Sequence, residues 1–384
     1  MNFVEVMFWI STFLVIYTYA LYPILLFVWN IIKPKQHIDY SESCLPFVTV
    51  LIAAHNEEGH IGERLANLNA INYPKDKIEF LVGSDGSNDR TAEILTREKS
   101  DRFFPFIFPE RKGKAVVLNK MVGNAKGEIL VMSDANTSFE SDTVLRLVKR
   151  FVDQKVGAVC GELRLESDGR KIGGWGEGAY WKYENRIKNL ESNIKTTLGA
   201  TGAVYALRRS LFQSLPADRS VMDDFVIPMR IIASGFDVKY EPSALASERP
   251  SNSVQGEFKR KVRIGAANIQ GLPLFWRILL PKYGFASLSL WSRKILRWLA
   301  PYLILVATVS VAILHSVSPF YEIVTYFAFF FFLAALIGFL ADRLGISFYW
   351  FGLPYYFVAM NLALFLGTVK ALASKQPPAW ETVR

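Results

Sequence analysis

The chain has 384 residues, 51% of them hydrophobic and 14% aromatic, and carries a net charge of +9. With a mean hydropathy of +0.20 it is too apolar for an ordinary soluble enzyme. Its basic excess forms no stripe interleaved with aromatic residues, which excludes a nucleic-acid binder.

Residues 3–32 open the chain with an almost unbroken apolar run, interrupted by Glu5 and Pro23. About 20 helical residues cross roughly 30 Å of hydrocarbon, so this run predicts a transmembrane helix. It lacks a basic start and is too long for a signal peptide. Lys33 and Lys35 follow it and predict that its end faces the cytoplasm. Cys44 and Cys160 have no metal spacing and read as reduced packing residues.

A polar middle section begins near Phe47. "FVTVLIAAHNEE" reads as a buried strand ending in a polar turn, and Ile61, Leu65 and Leu68 then recur at helical spacing. "KIEFLVGSDGSNDRT" repeats this grammar, with a helix from Arg90 capped by Asp89 or Thr91. "GEILVMSDANTSF" gives a third strand, followed by a helix over residues 141–152 opened by Ser141 and Asp142. "VGAVCGELRL" gives a fourth. Strands alternating with helices predict an α/β fold with a mostly parallel sheet and a ligand crevice at the carboxyl ends of the strands. Three of those ends are polar: Asn56-Glu57-Glu58, Asp85-Gly86-Ser87 and Asp134-Ala135-Asn136. No G-x-x-x-x-G-K-[ST] or G-x-G-x-x-G segment is present, which argues against a P-loop kinase or a dinucleotide dehydrogenase. Carboxylates beside an anionic nucleotide make chemical sense when a divalent cation bridges them. Mg²⁺ or Mn²⁺ takes one or two hard oxygen ligands from the protein, and Asp134 is the candidate.

Beyond the polar section, residues 258–298 mix basic side chains with Phe258, Phe275, Trp276, Trp291 and Trp298. They predict amphipathic helices lying at the membrane interface. The basic cluster there, Lys259 to Arg297, suits anionic lipid or a pyrophosphate. Apolar runs at 298–317, 319–341 and 348–369 predict about three more spans. The expected organisation is therefore an N-terminal transmembrane helix (1–32), a cytoplasmic catalytic domain (33–257), interfacial helices (258–297), C-terminal spans (298–373) and a tail (374–384). Four spans place the C-terminus outside, whereas Lys370, Lys375 and Arg384 argue for the inside. The number of crossings stays open between four spans, a re-entrant segment and an N-terminal hairpin.

The order of short motifs in the polar section resembles the family 2 glycosyltransferases, in particular the membrane-embedded branch of cellulose, hyaluronan and poly-N-acetylglucosamine synthases. The resemblance covers residues 46–270 and implies a GT-A fold, a nucleotide-sugar donor (UDP-sugar favoured) and inversion at the anomeric carbon. "AAHNEE" resembles the first nucleotide-contacting loop, which implies that Ala53, His55 and Glu57 lie near base and ribose. "SDGSNDRT" implies that Asp85 accepts from the base. "RKGKAVVLN" implies that Lys114 reaches the diphosphate or sugar, with Asn119 on the following helix. "SDANT" resembles the D-x-D metal motif, with Asp134 as ligand and Asn136 in the second place. "TGAVYALRRS" resembles the acceptor loop, with Thr201 and Gly202 at its turn, and "MDDFVIPMRI" implies a catalytic base at Asp224, beside Asp223. In "RKVRI", Arg260 and Arg263 match the pyrophosphate-gripping arginines, but Ile264 stands where the family has Trp, which puts a long glucan acceptor in doubt.

Residue chemistry leaves alternatives beside these roles. Asp223 and Asp224 also fit a helix N-cap pair. Lys114 also fits a solvated surface lysine, and Arg260 and Arg263 fit membrane-surface anchors. His55 reads as a structural or base-edge contact rather than a metal ligand, since no second His lies at ligand spacing. The expected function is transfer of a sugar to a hydroxyl acceptor at the membrane in exopolysaccharide synthesis, with export needing an oligomer or a partner subunit. The alternatives are a single-addition enzyme making a glycolipid and a non-catalytic nucleotide-sugar sensor.

Overall fold

The computed structural model describes residues 2–32, 45–98, 100–165, 172–248, 254–344 and 349–373. Expectations resting on Lys33, Lys35, Cys44, Lys375 and Arg384 lie outside them.

Eight strands form one sheet: β1 (Val48–Ala54), β2 (Ile78–Asp85), β3 (Phe103–Phe108), β4 (Ile129–Asp134), β5 (Ser138–Phe139), β6 (Val156–Leu165), β7 (Tyr205–Arg208) and β8 (Asp237–Glu248). Their order is β3-β2-β1-β4-β7-β6-β8-β5. The first four are parallel. The fifth, β7, runs antiparallel to both neighbours, which makes the sheet mixed. The expected fourth strand, β6, thus joins the parallel half only through β7.

Alternation along the central strands builds two cores. Val50, Ile52, Phe80, Val82 and Val131 enter one, packed beneath helices Ile61–Asn69 and Thr143–Lys149. Leu51, Leu81, Leu130 and Met132 enter the other, beneath helices Lys114–Val122 and Asp223–Ala233. Because both faces are covered, these strands read as continuous apolar runs although successive side chains point opposite ways. The expected helix over 141–152 is shorter, Thr143–Lys149 with a 3₁₀ turn after it.

The parallel register sets the strand ends side by side, with Ala53 opposite Asp134 and Ala54 opposite Ser84. The turn after β2 needs Gly86, whose φ is +57°, and a Cβ there would sit 2.3 Å from the Arg111 amide nitrogen. Gly86→Ala is expected to destabilise the fold by about 1–3 kcal/mol, read as a lower thermal midpoint.

Among the described residues, four helices are long and apolar enough to cross a membrane: Phe3–Ile32, Phe285–Leu314, Pro319–Arg343 and Trp350–Ala373. Large side chains such as Phe327, Ile323 and Leu353 are exposed on them, as lipid-facing residues are. The boundary expected at 297/298 falls inside the second of these helices. Of the segment expected at the interface, residues 258–271 belong to helix Val254–Gly271 and 272–283 form short 3₁₀ turns. Phe275 and Ile278 are buried in the second core of the sheet, with Trp298 packed against it, while Trp276 and Trp291 remain exposed. The segment therefore grips the sheet domain with one set of apolar residues and presents another outward.

Candidate active site

The three polar strand ends meet at one cavity of about 420 Å³. His55 follows β1, and its Nδ1 lies 2.7 Å from the Asp85 backbone oxygen. The turn continues through Asn56, at φ +55°, whose side chain accepts from the Asn88 amide at 2.8 Å. The Glu57 amide donates to Thr91 Oγ1 at 2.8 Å. Ala53, His55 and Glu57 all line the cavity. Asp85 turns its carboxylate toward the 110–113 turn, accepting from the Lys112 and Gly113 amides at 2.6 and 2.9 Å. This pins the start of helix Lys114–Val122 to the end of β2. Asn119, on that helix, exchanges two hydrogen bonds with the Leu215 backbone.

Lys114 is not a solvated surface lysine. Its Nζ lies 2.8 Å from Asp134 Oδ1 and 3.1 Å from Asp223 Oδ1. Burial works to lower the Lys114 pKa, but Asp134, Asp223 and Asp224 outweigh it and hold the ammonium above the ordinary lysine range. Asp134 moves the other way: burial raises it, and Lys114 with Arg263 and Arg64 more than offsets that, leaving it below the ordinary carboxylate value.

The two adjacent aspartates divide. Asp223 is buried and accepts from the Tyr205 hydroxyl at 3.0 Å as well as facing Lys114. Asp224 accepts from the Gly202 amide at 3.1 Å. Neither side chain caps its helix, which starts at Asp223 with Met222 as the cap residue. Gly202 lies between two carboxylates: a Cβ built there would be 3.4 Å from both Asp134 Oδ2 and Asp224 Oδ2. Those oxygens are thus separated by at most twice that distance across one space. Burial, then the charges of Asp223 and Asp134, push the Asp224 carboxyl up to about 6. Asn136 is exposed on the rim, and Arg260, Arg263 and Ile264 line the wall from helix Val254–Gly271.

Three residues lining this cavity carry no signal in the motifs. Glu248, at the end of β8, accepts from Thr137 Oγ1 at 2.6 Å, and burial with Asp134 nearby pushes it up to about 7. Lys188 donates to Thr201 Oγ1 at 2.6 Å. Lys294 reaches the cavity from helix Phe285–Leu314 and lies over the Phe225 ring, 5.4 Å from its centroid. The spacing of Trp181, Glu184, Lys188 and Glu191, by three and four, is the one sequence trace of this wall, since it puts all four on one helix face.

Among the described residues no group of three or more His, Cys, Asp or Glu side chains is arranged to hold a metal. The donor set is instead one half-exposed carboxylate, Asp134, with an amide at Asn136. That set suits a hard divalent cation bound chiefly through a ligand's phosphates and unsuited to an all-protein cage.

The architecture is a GT-A-like mixed sheet with flanking helices. The mannosyltransferase PcManGT from Pyrobaculum calidifontis, solved with GDP-Man and Mn²⁺, superposes with a TM-score of 0.71 over 96% of this chain and 99% of its own, at 23% identity. The Glycosyl transferase family 2 model matches residues 49–215. The chain is 28% identical over 256 residues to a probable glycosyltransferase, YdaM, of Bacillus subtilis strain 168, covering 61% of this chain and 58% of the relative. It is 28% identical over 239 residues to the poly-beta-1,6-N-acetyl-D-glucosamine synthase of Staphylococcus aureus strain MSSA476, covering 60% and 56%. The chain thus spans somewhat over half the length of these curated relatives. Residues 49–215 thus match the family 2 glycosyltransferase model, and the helices around them fit membrane association.

Proposed function

We propose that the protein is an inverting glycosyltransferase that moves a sugar from a nucleotide-sugar donor to a hydroxyl acceptor presented at the membrane. The observation that carries this reading is the pair of carboxylates, Asp134 and Asp224, facing each other across the space beside Gly202. Inversion needs an attacking hydroxyl on the face of the anomeric carbon opposite the leaving diphosphate. Asp224 removes the proton from that hydroxyl, and its raised pKa makes it a better base than an ordinary carboxylate. Ala53, His55, Glu57 and Asp85 form the nucleoside end; Lys114, Arg260 and Arg263 lie where negative charge develops on the diphosphate. Asp134, with Asn136, would hold a divalent cation, Mg²⁺ or Mn²⁺, which would supply further positive charge to that leaving group. Thr201 and Gly202 line the acceptor side. Asp223 orients Lys114 rather than touching the acceptor. The catalytic domain lies on the cytoplasmic side of the membrane, with the apolar helices holding it to the bilayer.

The names of the curated relatives favour a polysaccharide product, with export through an oligomer or partner subunit. One observation favours a glycolipid: the acceptor side of the cavity ends on a membrane helix, at Lys294, and has Ile264 at the position where the resembled family has Trp. Membranes incubated with radiolabelled sugar nucleotides separate the two, since polymer stays at a chromatographic origin and glycolipid extracts into organic solvent.

The test of the main reading is release of nucleoside diphosphate by the purified full chain, scored over a panel of donors with and without Mn²⁺. Turnover is expected with one donor class and a divalent cation. Asp134→Asn is expected to lower it by about 100-fold or more. Unchanged, metal-independent turnover in that variant would remove the leaving-group assignment.

A further inference from the structure

Charges on the acceptor side do not cancel, and the excess is positive. Helix Ile172–Ile194 sends Glu184 and Glu191 toward helix Phe285–Leu314, where Arg293 bonds them at 2.7 and 2.6 Å and Arg297 also pairs with Glu184. Tyr22 and Thr197 donate to Glu191 as well, at 2.9 and 3.0 Å. Two carboxylates and two guanidinium groups thus satisfy one another. Two lysines remain beside them on the cavity wall. Lys188 is 5% exposed; its ammonium meets the Thr201 hydroxyl, the Cys160 sulfur at 3.9 Å and the Trp181 ring, and the carboxylate its charge acts on is Asp224, with which it forms no ion pair among the described residues. Lys294 has the Phe225 ring and no ion pair among the described residues; the carboxylate its charge acts on is Glu184, which Arg293 and Arg297 already bond.

A buried ammonium without a carboxylate partner is costly unless a ligand supplies the anion. Asp224 faces the same cavity but serves the acceptor hydroxyl, and its charge cannot balance two lysines. Position indicates where the ligand comes from. Helix Phe285–Leu314 has 30 residues, about 45 Å at 1.5 Å per residue against roughly 30 Å of hydrocarbon. The excess of about 15 Å is enough for the stretch up to Lys294, a lining residue of the cavity, to stand in the headgroup region.

We infer that Lys188 and Lys294 form an anion subsite for the phosphate of a membrane lipid, so that the acceptor is a lipid whose headgroup carries a phosphate beside the hydroxyl to be glycosylated. The inference rests on the proposed glycosyl transfer for the word acceptor; the anion subsite stands on the two lysines alone. A phosphate held by the lysines keeps its neighbouring hydroxyl in the cavity that Asp224 also lines, and the lipid chains remain in the bilayer.

The test uses the full chain in detergent with a fluorescent phosphatidylglycerol, whose headgroup has both a phosphate and free hydroxyls, and phosphatidylcholine as the zwitterionic comparison. Wild type is expected to bind the anionic probe about tenfold more tightly than phosphatidylcholine, and Lys188→Met and Lys294→Met each to lose most of that preference. Lys294→Arg should keep it, and Lys282→Met, at an exposed lysine of the same edge, should leave it unchanged. Inorganic phosphate tells the sources apart: millimolar competition shows a subsite for phosphate as such, and no competition shows that the lipid is required. Equal binding of the two lipids by wild type overturns the inference whether or not the variants fold, as does full retention in Lys294→Met. Mn²⁺-dependent nucleotide binding, measured in parallel, reports on the glycosyltransferase reading separately.

Discussion

Asp224→Asn is expected to bind nucleotide as wild type does and to transfer sugar about 10²–10⁴-fold more slowly, the range a positioned general base contributes. The substitution keeps shape and the hydrogen bond from the Gly202 amide, and removes only the capacity to take a proton. The same change should stabilise the protein at neutral pH. In the folded chain the Asp224 carboxyl is raised from 3.8 to about 6 by burial, by Asp223 and by Asp134. An acid whose folded pKa exceeds its unfolded one favours folding when protonated, and that contribution fades as pH climbs from near 4 through 6. At pH 7.5 the ionised wild-type side chain therefore opposes the fold, and the asparagine does not. A thermal midpoint higher by a few degrees, beside the loss of rate, is the expected signature. In wild type, kcat/KM should rise with pH along a limb centred near 6. A flat profile from pH 5 to 7, or an unimpaired variant, would exclude Asp224 as the base.

Arg293→Met should cost about 3–5 kcal/mol, the usual penalty for removing one partner of a buried ion pair. Arg293 is fully buried and bonds Glu184 and Glu191 through separate nitrogens. Without it, Glu191 keeps Tyr22 and Thr197 as donors but loses the cation paired with it among the described residues, and Glu184 keeps Arg297. Thermal unfolding in detergent, followed by intrinsic fluorescence, measures the loss. The triple change Arg293→Met, Glu184→Gln, Glu191→Gln should recover much of it, because the orphaned charges are then absent. If the single variant melts with wild type, the network contributes nothing to holding the helices together.

How legible this molecule is from sequence depends on the range of the forces involved. Strands β1, β2 and β4 are buried on both faces, so each is a short apolar run bounded by turn residues, and their acidic ends were visible as a set. Strand β3 escapes because it lies at the sheet edge with Pro105 within it, and Phe104, Pro105 and Ile107 are exposed without alternation. Four-residue β7 is too short for periodicity, and β8 mixes Lys239, Glu241 and Pro242 into its run. Arg293 and Arg297 read as a basic membrane edge, and in the fold they face carboxylates more than 100 positions earlier. Local pattern cannot report such pairing. Lys188 stayed unnoticed for the same reason, since only the folded chain brings it to Thr201.

The cavity draws its donor half from strand ends within residues 53–134 and its opposite half from helices that continue into, or pack on, the apolar bundle. A water-soluble fragment trimmed of both greasy ends would therefore keep a place for the nucleotide and lose Lys294 together with the arginines that fix helix Ile172–Ile194 on the side of the second substrate. Such a truncation should still be retained on a nucleotide resin while showing little beyond slow donor hydrolysis, and crystals of it would picture half a catalyst.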